Sequence, residues 1–440
     1  MTNIRFFTHL SYILELFKRG IKRASTPSKW SLLWPLSLWA SIAITFYVFL
    51  SLSAENVFAA NLFGAIALPL SITVATVATA LTIIGVGTPP NAFRINGQIR
   101  QAGLKNSIGE SPLIISETLV PEKPGMKKLV FISLGVCPLD VEALKPNLEA
   151  AIGRKIVKVE MANSLKHLCL YTMPANEELP DVLPWDDAHL SEDNFVLTLG
   201  KSLLGIVRID FSNIPHWLIG GATNSGKSCL FRLVLMQALR KQAIILLGDF
   251  KGGVDFTADI WRSGQCTLIT NRKRFLLHLR EFMHILQERT EMLEKARCKN
   301  LDEYNRKFGL AHPRLIVAVD EVAVLLQRGK RMDKEDKTDI DEIEQILITI
   351  GQIGRSCNVS LILSLQRPDA NVIDGSLKCN LTGRISGRCD KVLSQIILDQ
   401  SDAAAQIPDD RQGMFMLHDS TVFLAFFWQD EDEVRSLSAS

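Results

Sequence analysis

Two long uncharged runs dominate the first quarter of the chain. Between Lys29 and Glu55 stands WSLLWPLSLWASIAITFYVFLSLS, and residues 57–93 again lack any charge. A membrane-crossing helix needs about 20 apolar residues, so the pattern predicts a two-helix transmembrane hairpin over residues 30–88. Pro69 is tolerable because a neighbouring helix can satisfy the freed carbonyl. Trp30, Trp34 and Trp39 suit a membrane interface. The first run is too long for a signal-peptide core, and a second span follows it.

The flanks set the expected orientation. Arg5, Lys18, Arg19, Lys22, Arg23 and Lys29 precede the first run against a single acid, Glu15. The connector SAENVFAA holds no Lys or Arg, and Arg94, Arg100 and Lys105 follow the second run. The excess of basic residues on cytoplasmic flanks then places both termini in the cytoplasm, as a two-span protein of the cell inner membrane. Residues 1–29 contain IRFFTHLSYILELFKRGIKR, with Phe6, Phe7, Leu10, Ile13, Leu14 and Phe17 at helical spacing. This amphipathic segment reads either as a helix on the inner leaflet or as an ordinary lead-in helix.

Residues 89–125 read as a linker with some helix. Residues 126–190 read as a small α/β subdomain. It has a strand at KKLVFISLG, a helix over PLDVEALKPNLEAAIG opened by Pro138 and closed by Gly153, and strands KIVKVEMA and HLCLYTMP. The acidic stretch PWDDAHLSEDN separates it from a larger domain over 191–440.

Composition narrows the class. A chain of 440 residues allows two or three domains. Hydrophobic content of 47% and a mean hydropathy of +0.15 exclude disordered and collagen-like chains. Lys+Arg 49 against Asp+Glu 47 gives +2, so bulk charge alone points to no nucleic-acid partner. The eight cysteines form no C-x-x-C pair, which argues against a zinc ribbon or redox motif and fits a reducing compartment.

The chemistry starts at HWLIGGATNSGKSCLFRLVLMQALRK. Gly221, Ala222, Thr223, Asn224, Ser225, Gly226, Lys227 and Ser228 complete G-x-x-x-x-G-K-S/T between a buried strand and an amphipathic helix. Glycines let backbone N–H groups face phosphate oxygens, and the helix start adds its positive end. Lys227 is expected to reach the β- and γ-phosphates of ATP, and Ser228 to ligate Mg²⁺. The strand in RLIVAVDEVAVLL ends in Asp320, expected to hold the metal, and Glu321, expected to act as general base. A third strand, VSLILSLQRP, presents Gln366 as a candidate sensor of the γ-phosphate. Asp249 and Lys251 in GDFKGGVDF follow the strand AIILL, and Gly252 and Gly253 read as a tight turn.

From about Pro138 to Asp430 these motifs, in this order, resemble the motor region of FtsK/SpoIIIE-type DNA translocases. KPNLEAAIGRKIVKVE, the P-loop run, GDFKGGVDF, REFMHILQERTEMLEKA with NLDEYN, the Asp320–Glu321 strand, LILSLQRPDANVIDGSLKCNLTGRI and QIILDQSDAA carry the resemblance. It implies a RecA-like P-loop ATPase of the additional-strand type, a homo-hexameric ring with ATP between subunits, and DNA through the pore. The short linker and two spans are most similar to the small coupling ATPases of conjugative elements, which bring DNA to a secretion channel. That implies relaxase and secretion-channel partners. The runner-up is a chromosome-segregation or cell-division DNA pump, and a third reading is a type VII-like protein-export ATPase. The enlarged charged loop RGKRMDKEDKTDIDE and Gln395, where the family commonly has Arg, depart from its pattern.

A ring ATPase needs a cation entering the neighbour's site. Arg355, Arg384 and Arg388 are candidates, and Arg384 in NLTGRI matches a family arginine. For DNA, Arg328, Lys330 and Arg331 are expected to line the pore, with Arg272, Lys273 and Arg274 as the second choice. A few phosphate contacts repeated around a ring suffice for a nearly neutral chain. Single- or double-stranded substrate stays open.

Overall fold

The computed structural model describes residues 2–24, 33–52, 68–121, 123–162, 166–252, 255–329, 332–366 and 373–429. The chain splits into two compact units, Met1–Glu177 and Glu178–Ser440.

The first unit opens with helices α1 (Thr2–Ala24), α2 (Leu33–Leu52) and α3 (Leu68–Gly87). Among the described residues, one helix, Pro69–Gly87, has the length and composition to cross a membrane. That supports one candidate span. The second half of the expected hairpin rests on the uncharged 20-residue α2, whose Trp39 Nε1 donates to Thr79 Oγ1 of α3 at 3.0 Å.

Helix α1 packs along α3 through glycines. A Cβ at Gly20 would collide with the Ile83 carbonyl, and one at Gly87 with the Leu16 carbonyl. Small residues allow such backbone approach between helices. Arg23 donates to the Val86 carbonyl at 3.2 Å, serving one of the carbonyls that a helix end leaves unpaired. Leu16 is buried, whereas Leu10, Ile13, Leu14 and Ile21 stay exposed.

Next come α4 (Ala92–Gln101), β1 (Leu113–Leu119), β2 (Lys127–Ile132), α5 (Pro138–Ala143), α6 (Lys145–Ile152), β3 (Arg154–Met161) and β4 (His167–Pro174). The strands form an antiparallel sheet in the order β1-β2-β4-β3. Residues 89–125, expected as a linker, instead supply α4 and the edge strand β1. Ile95 and Ile99 of α4 and Ile114 of β1 are buried with Leu129, Phe131 and Leu168, because the small sheet needs them to cover its apolar face. The single helix expected over PLDVEALKPNLEAAIG is broken at Leu144, with Pro146 in the first turn of α6, the helical position where a missing N–H is tolerated.

The second unit begins at Glu178, earlier than the boundary expected at residue 190. Trp185 N–H donates to the Phe427 carbonyl at 2.9 Å, and Phe427 N–H to the Leu183 carbonyl at 2.6 Å. This pairing ties the acidic stretch to the larger domain. The remaining elements are β5 (Val196–Ser202), β6 (Gly205–Asp210), β7 (His216–Gly220), α7 (Lys227–Arg240), β8 (Ile244–Gly248), β9 (Cys266–Ile269), α8 (Arg272–Ala296), α9 (Leu301–Phe308), β10 (Leu315–Val319), α10 (Val322–Leu325), α11 (Lys334–Ile353), β11 (Val359–Leu365), α12 (Gly375–Asn380), β12 (Gly383–Gly387), α13 (Lys391–Leu398), α14 (Asp402–Gln406), β13 (Met414–Leu417) and β14 (Val422–Ala425).

They build a ten-stranded sheet ordered β6-β5-β14-β13-β12-β7-β11-β10-β8-β9. The run from β12 to β9 is parallel throughout, and the other pairings are antiparallel. The parallel strands are covered on both faces. Val317 and Val319 pack with residues of α8 and α11, whereas Ile316 and Ala318 pack with residues of α7. This explains why those strands read as unbroken apolar runs. Strand β11 lies between β7, which leads into the P-loop, and β10, which ends in Asp320. Ligands of open parallel sheets bind at the carboxyl ends of the strands, and that edge gathers Gly220, Val319 and Leu365.

Candidate nucleotide site

The P-loop is a strand-to-helix turn shaped by unusual backbone conformations. Asn224 has φ +63° and Gly226 φ +92°. At Gly226 the left-handed conformation and Gly413 backbone atoms 3.1 Å from any Cβ require glycine. Its first two amides are anchors: Gly221 N–H donates to the Leu365 carbonyl at 3.2 Å, and Ala222 N–H to the Arg388 carbonyl at 2.8 Å. Arg388 also donates to the Thr223 carbonyl at 3.0 Å. Thr223 and Asn224 are exposed at the tip, and the Ser225 hydroxyl is buried with no partner among the described residues.

Lys227, 3% exposed, projects from the first turn of α7 into the acid pair of β10. Its Nζ donates to the Asp320 carbonyl at 3.0 Å, lies 3.2 Å from Asp320 Oδ1 and also donates to the Ser364 hydroxyl. Lys251 Nζ takes the other oxygen, 3.0 Å from Asp320 Oδ2, and lies 3.5 Å from Glu321 Oε2. Glu321 Oε1 accepts the Gln366 main-chain N–H at 3.3 Å. Ser228 Oγ stands 3.5 Å from Asp255 Oδ2. Thus Lys227, Lys251, Asp320 and Glu321 meet at one point, and Gln366 joins through its backbone, while Ser228, next to Lys227 in α7, has its hydroxyl beside Asp255 instead.

Charge explains the cluster's cohesion. Burial raises the Asp320 pKa, but Lys227 and Lys251 more than offset it and hold the carboxyl below its ordinary value. Burial lowers the Lys227 pKa despite its attraction to Asp320 and Glu321. These tendencies oppose each other across one pair. Two carboxylates facing two ammoniums at these distances favour the ionised arrangement, since either charge alone would be buried unpaired. Burial raises the Asp249 pKa, reinforced by Asp320 and Asp255, and its Oδ2 is buried without a partner among the described residues.

The site fits Mg²⁺ with a nucleoside triphosphate. It has a glycine-shaped loop at a helix N-terminus, a buried ammonium, a hydroxyl beside an acid, and two buried polar oxygens lacking partners. Among the described residues no group of three or more His, Cys, Asp or Glu makes a metal cage. Mg²⁺ held with phosphates needs only one or two protein ligands.

Sequence reasoning missed Ser364, Asp255 and the Arg388 clasp. Ser364 was detectable as one of two hydroxyls, with Ser360, in an apolar buried strand and as the one nearer its carboxyl end, and Asp255 as the last acid of GDFKGGVDF. The clasp joins residues 165 apart and has no local signal.

Other candidates lie elsewhere. Arg384 is not brought to the phosphate pocket of its own chain. Its guanidinium donates to the Leu381, Lys378 and Ile397 carbonyls and pairs with Asp399, tying together the ends of α12 and α13. Arg355 is exposed in the turn before β11. Arg328 pairs with Asp341 at 2.8 Å and Glu344 at 2.6 Å, so α11 already holds this pore candidate; Lys330 and Arg331 lie outside the described residues. Arg272 donates to the Val324 and Leu325 carbonyls, Lys273 pairs with Glu335 at 3.0 Å, and Arg274 is exposed.

A family model described as FtsK/SpoIIIE family matches residues 178–370. A protein named DNA translocase FtsK from Helicobacter pylori strain J99 is 29% identical over 305 residues, 65% of this chain and 33% of the relative. Its namesake from Lactococcus lactis subsp. cremoris is 26% identical over 326 residues, 66% of this chain and 42% of the relative. The chain therefore spans a third to two fifths of the lengths of these curated relatives. A solved structure, the pCW3 conjugation coupling protein TcpA in monomer form with ATPgS, aligns with TM-score 0.58 and 28% identity, covering 78% of this chain and 99% of that one. The described P-loop, the Asp320–Glu321 strand and strand β11 all fall within the matched region, so residues 178–370 of this chain carry a domain that matches the FtsK/SpoIIIE family model.

Proposed function

We propose that this chain is a membrane-anchored, ATP-driven DNA translocase that acts as a coupling protein, moving DNA to a conjugative transfer channel. The observation that carries the reading is the meeting of the P-loop Lys227 with Asp320, which shares Lys251 with Glu321, inside a stretch that matches the FtsK/SpoIIIE family model and in a chain similar to a solved conjugation coupling protein. Lys227 binds the terminal phosphates of ATP, while Ser228 and Asp320 hold Mg²⁺, which would neutralise charge on the phosphate oxygens. Glu321, 3% exposed, takes a proton from the attacking water. Gln366 fixes the Glu321 carboxylate through its main-chain N–H.

The active form is a homo-hexamer with DNA in its pore, anchored in the inner membrane by α2 and α3 with both termini cytoplasmic. Relaxase and channel proteins are its partners. Arg384 serves as the cation offered to a neighbouring subunit only if Asp399 releases it; Arg355 needs no such release. Identity to FtsK translocases favours a chromosome-segregation pump as the second reading.

Hydrolysis by the full chain in detergent micelles should rise severalfold on adding DNA, and Lys227→Ala should abolish both rates. Hydrolysis indifferent to every DNA form would reject translocation. Restoration of plasmid transfer to a coupling-deficient donor distinguishes conjugation from segregation.

A further inference from the structure

Asp320 is flanked by two ammoniums of different character. Lys227 is 3% exposed and held by the Asp320 carbonyl and Ser364 as well as the carboxylate. Lys251 has a side chain 30% exposed, and its ammonium lies 3.0 Å from Asp320 Oδ2 and 3.5 Å from Glu321 Oε2, both carboxylate oxygens. It comes from the turn after β8, where Asp249 Oδ1 accepts the Lys251 N–H at 2.9 Å. Gly252 follows at φ +107°, with open space where a Cβ would stand. Lys227 is thus buried and held by three acceptors, whereas Lys251 is the more exposed of the two ammoniums.

The two acids are 0% and 3% exposed. Buried carboxylates short of counter-charge are strongly disfavoured, and removing Lys251 leaves Asp320 with Lys227 alone and takes away the ammonium beside Glu321. We infer that Lys251 holds the divalent-cation position at Asp320, and that Mg²⁺ enters only when nucleotide draws this ammonium off the acid pair. The inference rests on the reading that the pocket takes Mg²⁺ and ATP. Its physical basis is exclusion. An ammonium bonded to Asp320 Oδ2 repels a second cation at the same carboxylate, and Mg²⁺ alone brings no anion to compensate Lys251. A nucleotide brings both the metal and phosphate charge. Lys251 is then a positioning residue that makes metal binding conditional on nucleotide, which suppresses metal capture by an empty site.

The test is Mn²⁺ binding by electron paramagnetic resonance, on the full detergent-solubilised chain without nucleotide. The wild type should bind Mn²⁺ no better than Asp320→Asn, whereas Lys251→Met should bind it at least about tenfold more tightly, since it removes a charge in direct contact with the acid. Lys251→Met should also melt at a lower temperature than wild type, and Mg²⁺ alone should recover the loss. A lysine that merely packs the turn would not shift metal affinity. Equal Mn²⁺ affinity in wild type and Lys251→Met overturns the inference. Should Lys251→Met not fold, the wild type still decides: Mn²⁺ bound without nucleotide and abolished by Asp320→Asn would show that Lys251 excludes nothing. A fluorescent ATP analogue with Mg²⁺, titrated into wild type, separates the two levels. Absence of nucleotide binding would remove the functional reading, whereas normal binding with unchanged Mn²⁺ affinities would remove this inference alone.

Discussion

Lys227 and Asp320 are separated by 93 positions in sequence, yet the lysine ammonium touches both the main-chain carbonyl and the carboxylate of the aspartate, at 3.0 and 3.2 Å. The contact exists because β7 and β10 flank β11 in one parallel sheet, which brings the P-loop and the acid pair to the same edge. The lysine expected to bind phosphate thus rests on the acid expected to hold the metal.

Lys227→Ala should therefore lower nucleotide affinity by at least about tenfold, through loss of a charge-assisted contact. Glu321→Gln should keep nucleotide binding and reduce turnover by about 10²–10⁴-fold, the usual worth of a general base. Equilibrium binding of a fluorescent nucleotide and single-turnover hydrolysis measure the two effects separately. Hydrolysis at the parental rate by Glu321→Gln would remove that residue from the base role.

Stability should fall between pH 6.5 and 4 for a reason far from the nucleotide. His216 in β7 is 3% exposed, and its Nδ1 accepts the Leu361 N–H at 3.1 Å. Burial, aided by the Arg314 charge, pulls its pKa from 6.5 down to about 4. Below pH 6.5 the unfolded chain takes a proton that the folded chain refuses, so stability rises with pH across this window. The full effect is about 3 kcal/mol. His216→Asn retains an acceptor and should flatten the slope; thermal midpoints from pH 4.5 to 7.5 give the comparison.

Arg328 is shared by Asp341 and Glu344 of α11, which raise its pKa. If Arg328 contacts DNA, those acids compete with phosphate. Asp341→Asn with Glu344→Gln should then raise DNA stimulation of ATP hydrolysis and steepen its salt dependence by about one counterion per freed cation. Stability should change little, because exposed ion pairs contribute about 0–1 kcal/mol. An unchanged salt slope would mark this region as a solvated insertion and move attention to Arg274.

Membrane topology is directly testable. A reporter fused after Glu55 should behave as external and one fused after Pro90 as cytoplasmic, as the Lys/Arg asymmetry of the flanks requires. Cytoplasmic behaviour of the Glu55 fusion would leave α3 as a lone span or an interfacial helix. Gly20→Leu should separate α1 from α3, since its side chain would enter the Ile83 backbone, and crosslinking between cysteines placed on the two helices would report the loss.

Local sequence determined the features that depend on near neighbours. The P-loop was legible because phosphate binding needs glycines, a lysine and a hydroxyl at fixed spacing along a continuous backbone. The buried parallel strands were legible because both faces lose water. The acid pair at the end of β10 could be named for the same reason. Tertiary structure alone decided what depends on distant pairings. It placed Lys251 on the acid pair, bound Arg384 to Asp399 and Arg328 to α11, and joined Arg388 to Thr223. It also drew α4 and β1 into the small sheet, because an apolar face is completed by whichever segment can reach it. A charged side chain carries the same label in sequence whether it meets phosphate, a neighbouring subunit or a carboxylate of its own chain. Its role is set by the partner within about 3 Å, and that partner is chosen by strand order and helix packing over separations that residue spacing does not encode.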